Sequence, residues 1–183
     1  MTKVEFWYGF ASTYSYSAAM RVEALAAARG VKVRWRPFLL GPLFAAQGWR
    51  DSPFNLFPAK GLYMWRDMER ICDSLGLPFL RPDPFPQPSL LAARVALVLG
   101  ECERPAFSRS VYNAEFGEGR SIGEVSTLAP LTEALGRDAA DVFERAQSAD
   151  NKERLKLECA RRRDRPARRP LPRHLRRRGF LGK

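Results

Sequence analysis

The stretch that decides the fold is Val4-Glu5-Phe6-Trp7-Tyr8-Gly9-Phe10-Ala11-Ser12-Thr13-Tyr14-Ser15. Residues Val4 to Tyr8 are β-branched or aromatic around one glutamate and run straight into Gly9, the pattern of a short strand closed by a turn. Ser12 then stands where a helix N-cap belongs, and Ala18, Ala19, Met20, Val22, Leu25, Ala26 and Ala28 keep helical spacing up to Gly30, a stop residue. Val31 to Phe38 alternates apolar residues with Lys32, Arg34 and Arg36, which predicts a second strand. Strand, helix and strand within forty residues form a βαβ unit, whose strands should be parallel and whose crossover should be right-handed.

Outward from this unit the chain changes character. Pro42, Pro53 and Pro58 punctuate residues 41–58, and helical segments are predicted at 59–75, 89–100, 105–116, 127–135 and 138–149, with a proline-rich connector at 78–88. The expected division is an α/β part at 1–40, a mainly helical insertion at 41–150, a returning helix at 151–160 and a basic tail at 161–183.

The net charge of +11 over 183 residues is concentrated in that tail, where ten Arg and one Lys face one Asp. The tail carries +10 and the remaining 160 residues only +1, so the body has no electrostatic footprint for nucleic acid. Phe180 is the tail's only aromatic residue, which leaves no stacking platform for single strands; binding through phosphate charge alone is the alternative reading of the tail. Arginine and proline dominate it, so it is expected to be disordered or at most loosely helical. Hydrophobic residues make up 45% of the chain, enough for a core, yet no run approaches the ~20 apolar residues of a membrane span. Cys72, Cys102 and Cys159 form no C-x-x-C pair, arguing against a disulfide framework or a zinc site, and the default setting is cytoplasmic. The only histidine, His174, lies in the tail, which excludes a His-based triad, and no metal is required.

Ser12 and Ser15 form an S-x-x-S arrangement where a strand turns into a helix, the redox position of a thioredoxin-like fold with both sulfurs replaced. No cysteine at 12 or 15 means no thiol exchange. The same helix N-terminus favours an anion, so it suits a thiolate brought by another molecule, with the Ser12 hydroxyl donating to the sulfur. On spacing alone a plain N-cap is the simpler reading of Ser12, and both readings stand at this point.

The stretch resembles the opening motif F-x-x-D-F-x-S-P-Y-S of the 2-hydroxychromene-2-carboxylate isomerases, in the DsbA-like, kappa-class glutathione transferase superfamily. The resemblance continues through Trp35-Arg-Pro-Phe38, Gln47-Gly48, Ser52-Pro53-Phe54-Asn55, Lys60, Trp65-Arg66-Asp67 and Gly76-Leu-Pro78, and more weakly to about residue 158. It implies a thioredoxin-like fold with a helical insertion, glutathione as cofactor, Ser12 as the residue that activates its sulfur, and Asn55 as a polar contact to glutathione or substrate. The implied reaction interconverts 2-hydroxychromene-2-carboxylate and trans-o-hydroxybenzylidenepyruvate in aromatic catabolism. A thiolate would add to an electron-poor carbon, the resulting single bond would rotate, and elimination would return glutathione. A small aromatic pyruvate is then the substrate, and a homodimer is an assembly the resemblance allows. A non-catalytic glutathione- or partner-binding remnant, or another transferase-like activity, is the competing reading. Gly9 stands where the family has Asp, Thr13 where many members have Pro, and Gln87-Pro88-Ser89 where an Asn-Ser pair is common. For Lys60, Trp65, Arg66 and Asp67 a helix with one packed and one solvated face explains the residues as well as a binding role does.

Members of the superfamily finish with a Gly-x-Pro-Ser/Thr loop, a hairpin and a Trp-Gly-Asn-Asp-Arg motif, and none of these occurs here. Codons allowed for Arg168 to Lys183, read one base later, can spell Gly-Ala-Pro-Ser-Leu-Val-Thr-Ser-Asp-Gly-Glu-Val-Phe-Trp-Gly-Asn. The expectation is therefore a frame shift between about 155 and 168, leaving the sheet without its C-terminal half and the activity of this chain impaired.

Overall fold

The computed structural model describes residues 2–164. Expectations for 165–183, including His174 and the shifted-frame stretch, lie outside the described residues. Strand β1 (Lys3–Tyr8) pairs in parallel with β2 (Lys32–Pro37), in a register running from Lys3 opposite Lys32 to Tyr8 opposite Pro37. In β2, Trp35 and Pro37 are buried while Lys32 and Arg34 face water, the alternation expected of a strand covered on one side. The crossover is two helices, α1 (Thr13–Ala19) and α2 (Val22–Ala27), where the sequence predicts one. The break has a local cause. The Arg21 N–H bonds to the Ala18 carbonyl three residues back, tightening the turn, and Arg21 leaves helical geometry at φ −125°.

Residues 41–58 also depart from expectation, because they hold α3 (Leu40–Ala46) and α4 (Pro53–Leu56). Their prolines start helices instead of breaking them. Pro42 lies in the first turn of α3 and Pro53 opens α4, positions whose N–H would have no helical partner, and the Ser52 hydroxyl caps α4 by accepting from the Phe54 N–H. Pro58 opens the long α5 (Pro58–Leu75), which Gly76 ends in the left-handed region at φ 63°. The insertion continues through α6 (Leu90–Val98), α7 (Arg104–Tyr112), α8 (Val125–Glu133) and α9 (Ala139–Gln147), the last capped by Asp138. The helix predicted at 105–116 closes as a π-helical turn over Asn113–Gly117.

The returning helix α10 spans Ala149–Asp164, so the basic segment expected to be loose from residue 161 begins as the last turn of a regular helix. Arg161 pairs with Glu158 at 2.9 Å, and the Arg162 guanidinium lies over the Phe38 ring at 5.7 Å, which holds that turn.

Apolar residues from the start, middle and end of the described chain, among them Tyr8, Val111 and Leu155, join one core. Buried Arg104 donates to the carbonyls of Ala96, Trp35 and Leu99, clamping β2 to the end of α6. Arg36 reaches both Glu5 and Glu158 at 2.9 Å and so ties the sheet to α10. Among the described residues the sheet has two strands, leaving each with a single strand neighbour.

Candidate active site

The loop from Gly9 to Ser12 is held from below by aromatic packing. Phe10 is buried with its ring 5.3 Å from those of both Tyr8 and Tyr112. The Gly9 carbonyl accepts from the Tyr112 hydroxyl at 2.9 Å and from the Ser12 N–H at 3.0 Å. The Tyr8 hydroxyl and Ser108 Oγ are 2.7 Å apart. Burial pushes the Tyr8 and Tyr112 phenols up, so both remain neutral across the physiological range.

Ser12 sits at the N-cap of α1 with extended backbone, and its Oγ accepts from the Ser15 N–H at 3.3 Å. A serine hydroxyl has one hydrogen to donate besides its lone pairs, so capping uses an acceptor site and leaves the O–H free. The cap and the donor roles are compatible in one side chain. The two serines of the S-x-x-S pattern part company. Ser12 lines a cavity of about 750 Å³, whereas Ser15 reaches the Tyr112 phenol beneath the loop.

That cavity is mostly apolar, walled by Leu39, Leu40, Phe44, Trp49, Phe54 and Leu90. Phe44 and Trp49 pack ring to ring at 5.8 Å. Polar residues in the lining are Ser12, Arg50, Asp51, Ser52, Gln87 and Ser89. The volume lies in the ~300–1,000 Å³ range of pockets that enclose a small molecule. Its α3 wall was hidden in the sequence by prolines; the apolar run Leu39-Leu40-Gly41-Pro42-Leu43-Phe44 is the signal that marks it.

Asn55 stands behind this wall. Its Nδ2 donates to Asp51 Oδ2 and to the Phe85 carbonyl, both at 3.1 Å, bracing α4 against the proline-rich connector. The remaining motif residues hold the scaffold. Thr13 Oγ1 donates to Met64 Sδ at 3.3 Å and the Tyr14 hydroxyl to Asp67 at 2.9 Å, which fastens α1 to α5. Trp65 meets Phe85 edge to face at 4.7 Å, and the Lys60 ammonium lies 4.4 Å from the Phe57 ring. A Cβ at Gly9 would lie 3.4 Å from Leu40 Cγ and from the Phe38 carbonyl oxygen, so the position has room for a side chain in ordinary contact.

Glu115 is the group sequence reasoning missed. It is fully buried on the π-helical turn, neither carboxyl oxygen has a partner among the described residues, and burial raises its pKa well above the ordinary carboxylate range. Nothing in the local sequence distinguishes it from a solvated glutamate.

Among the described residues no cluster of His, Cys, Asp and Glu could hold a metal ion, and no helix is long and apolar enough to cross a membrane. A parallel βαβ unit, a serine at the start of its helix and a large helical insertion define a thioredoxin-like domain. The DSBA-like thioredoxin domain matches residues 3–168, and the chain belongs to that family. Its structure is similar to that of a 2-hydroxychromene-2-carboxylate isomerase, with a TM-score of 0.79 and 25% identity over 87% of this chain and 78% of that one. A probable DsbA oxidoreductase, SCO1869 from Streptomyces coelicolor, shares the fold at a TM-score of 0.68 and 20% identity, covering 88% of this chain and 74% of that one. So does the cytosolic disulfide reductase DsbM from Pseudomonas aeruginosa with GSH, at 0.57 and 19%, covering 87% and 76%. Curated protein sequences give no match.

Proposed function

We propose that this chain is a glutathione-dependent isomerase acting at Ser12 on 2-hydroxychromene-2-carboxylate and trans-o-hydroxybenzylidenepyruvate in a cytoplasmic setting. The observation that carries this reading is a serine, with its O–H free to donate, in the wall of an apolar cavity at the start of α1. Likeness to a 2-hydroxychromene-2-carboxylate isomerase supports it.

The residues present suit glutathione. Ser12 offers a donor to sulfur, and the other polar residues of the lining offer partners to a peptide. When bound, glutathione supplies a thiolate able to add reversibly to a conjugated double bond. The chain's own contributions are distinct. Ser12 holds negative charge at one point by hydrogen bonding. Leu40, Phe44 and Trp49 keep water from an aromatic ring. Asn55, with its Nδ2 held by Asp51 and the Phe85 carbonyl, serves the site by bracing the wall behind the cavity.

The test is isomerisation assayed with and without glutathione, for this chain and for Ser12→Ala. Loss of the glutathione-dependent rate in the variant supports the role; equal rates remove Ser12 from the mechanism. That the sheet has two strands among the described residues favours a second reading, a non-catalytic glutathione-binding remnant. In that case calorimetry detects glutathione binding while neither protein turns over substrate.

A further inference from the structure

Leu39, Pro42 and Leu90 are shared by two cavities. On the far side of this wall from Ser12 lies a groove of about 330 Å³ between α3, α6 and α10. Its floor is apolar, made by Leu39, Leu43, Leu90 and Leu155. Its rim is cationic, made by Arg94, Lys152, Lys156 and Arg163, with no Asp or Glu in the lining.

Two of these cations have partners nearby: Lys156 pairs with Glu153 at 3.1 Å and Arg163 with Asp164 at 2.9 Å, both in exposed pairs that water weakens. The Arg94 guanidinium differs. Its Nε is shut off from solvent and has no acceptor among the described residues, so that one N–H has lost its hydration without return, while the side chain as a whole is half-buried beside the groove.

We propose that the groove is a binding site for a small amphiphilic organic acid, an aromatic carboxylate whose ring covers the leucine floor and whose carboxylate is held by Arg94 with Lys152. A carboxylate matches the planar guanidinium through charge-assisted hydrogen bonds. A neutral hydrocarbon would leave Arg94 unanswered, and an inorganic anion would leave the leucines uncovered. The volume, at the small end of ligand pockets, fits a bicyclic acid. The site stands independently of the role proposed for Ser12.

The experiment is calorimetric titration of the full chain with 2-naphthoate, with its neutral counterpart 2-naphthol and with acetate. Binding of 2-naphthoate is expected, with 2-naphthol and acetate at least tenfold weaker. Arg94→Gln and Lys152→Glu should each weaken 2-naphthoate at least tenfold. Arg50→Gln, which removes the one cation that lines the neighbouring Ser12 cavity among the described residues, should leave it unchanged. Lys152 is exposed, so its variant keeps the test open if Arg94→Gln fails to fold. The proposal is overturned if 2-naphthoate does not bind, if 2-naphthol binds as tightly, if Lys152→Glu binds like the parent, or if Arg50→Gln abolishes binding.

Discussion

Replacing Glu115 by glutamine should change how the stability of this protein depends on pH. Both Glu115 carboxyl oxygens are buried without a partner among the described residues, and desolvation raises the group's pKa well above the ordinary range. In the unfolded chain the same carboxyl titrates near ~4.3. From that pH up to its native pKa, the native state keeps a proton that the unfolded state has released. Stability therefore falls as pH rises through this window, at about 1.4 kcal/mol per pH unit from this one group. The Glu115→Gln variant would carry no such proton. Its buried amide adds a pH-independent offset of roughly 1–3 kcal/mol, which does not alter the slope. Urea unfolding of both proteins at pH 5, 6 and 7 separates the two effects, because the stability of the variant relative to the parent should climb with pH, at up to about 1.4 kcal/mol per unit, until the native pKa of Glu115 is reached. A difference that stays flat across those three pH values would show that Glu115 is ionised in the native state, and the argument from burial would be wrong.

Gly61→Ala should destabilise by about 2–3 kcal/mol in the same assay, since its Cβ would lie 2.5 Å from the Phe54 carbonyl oxygen and force α5 away from α4. Ser12→Ala should lose about 1 kcal/mol of stability from the missing cap and, in the isomerase assay, the glutathione-dependent rate. An unchanged rate alongside that loss would leave Ser12 as a cap alone. Resequencing the gene should show that the bases encoding residues 168–183, read one base later, spell a Gly-x-Pro loop and a Trp-Gly-Asn-Asp motif; bases that yield neither signature refute the frame-shift reading and make the basic tail a feature in its own right.

Local pattern alone determined the βαβ start of this protein. The β-branched and aromatic run Val4–Tyr8 and the alternation in Val31–Phe38 reflect strand preferences that belong to the segments themselves, and Ser12 and Gly30 bracket the crossover through backbone geometry that neighbouring residues impose. The long helices at 58–75 and 139–147 were legible for the same reason. What tertiary structure decided is everything that depends on residues distant in sequence. Prolines at 42 and 53 read as breaks until the fold placed them in first turns. Asn55 and Ser12, alike as polar residues in the sequence, were sorted by packing: one braces a wall behind the cavity and the other lines it. Glu115 and Arg94 look like surface charges in the sequence, and only tertiary packing took both Glu115 carboxyl oxygens and the Arg94 Nε out of water. Burial is a sum over contacts from the whole chain, so no window of sequence contains it.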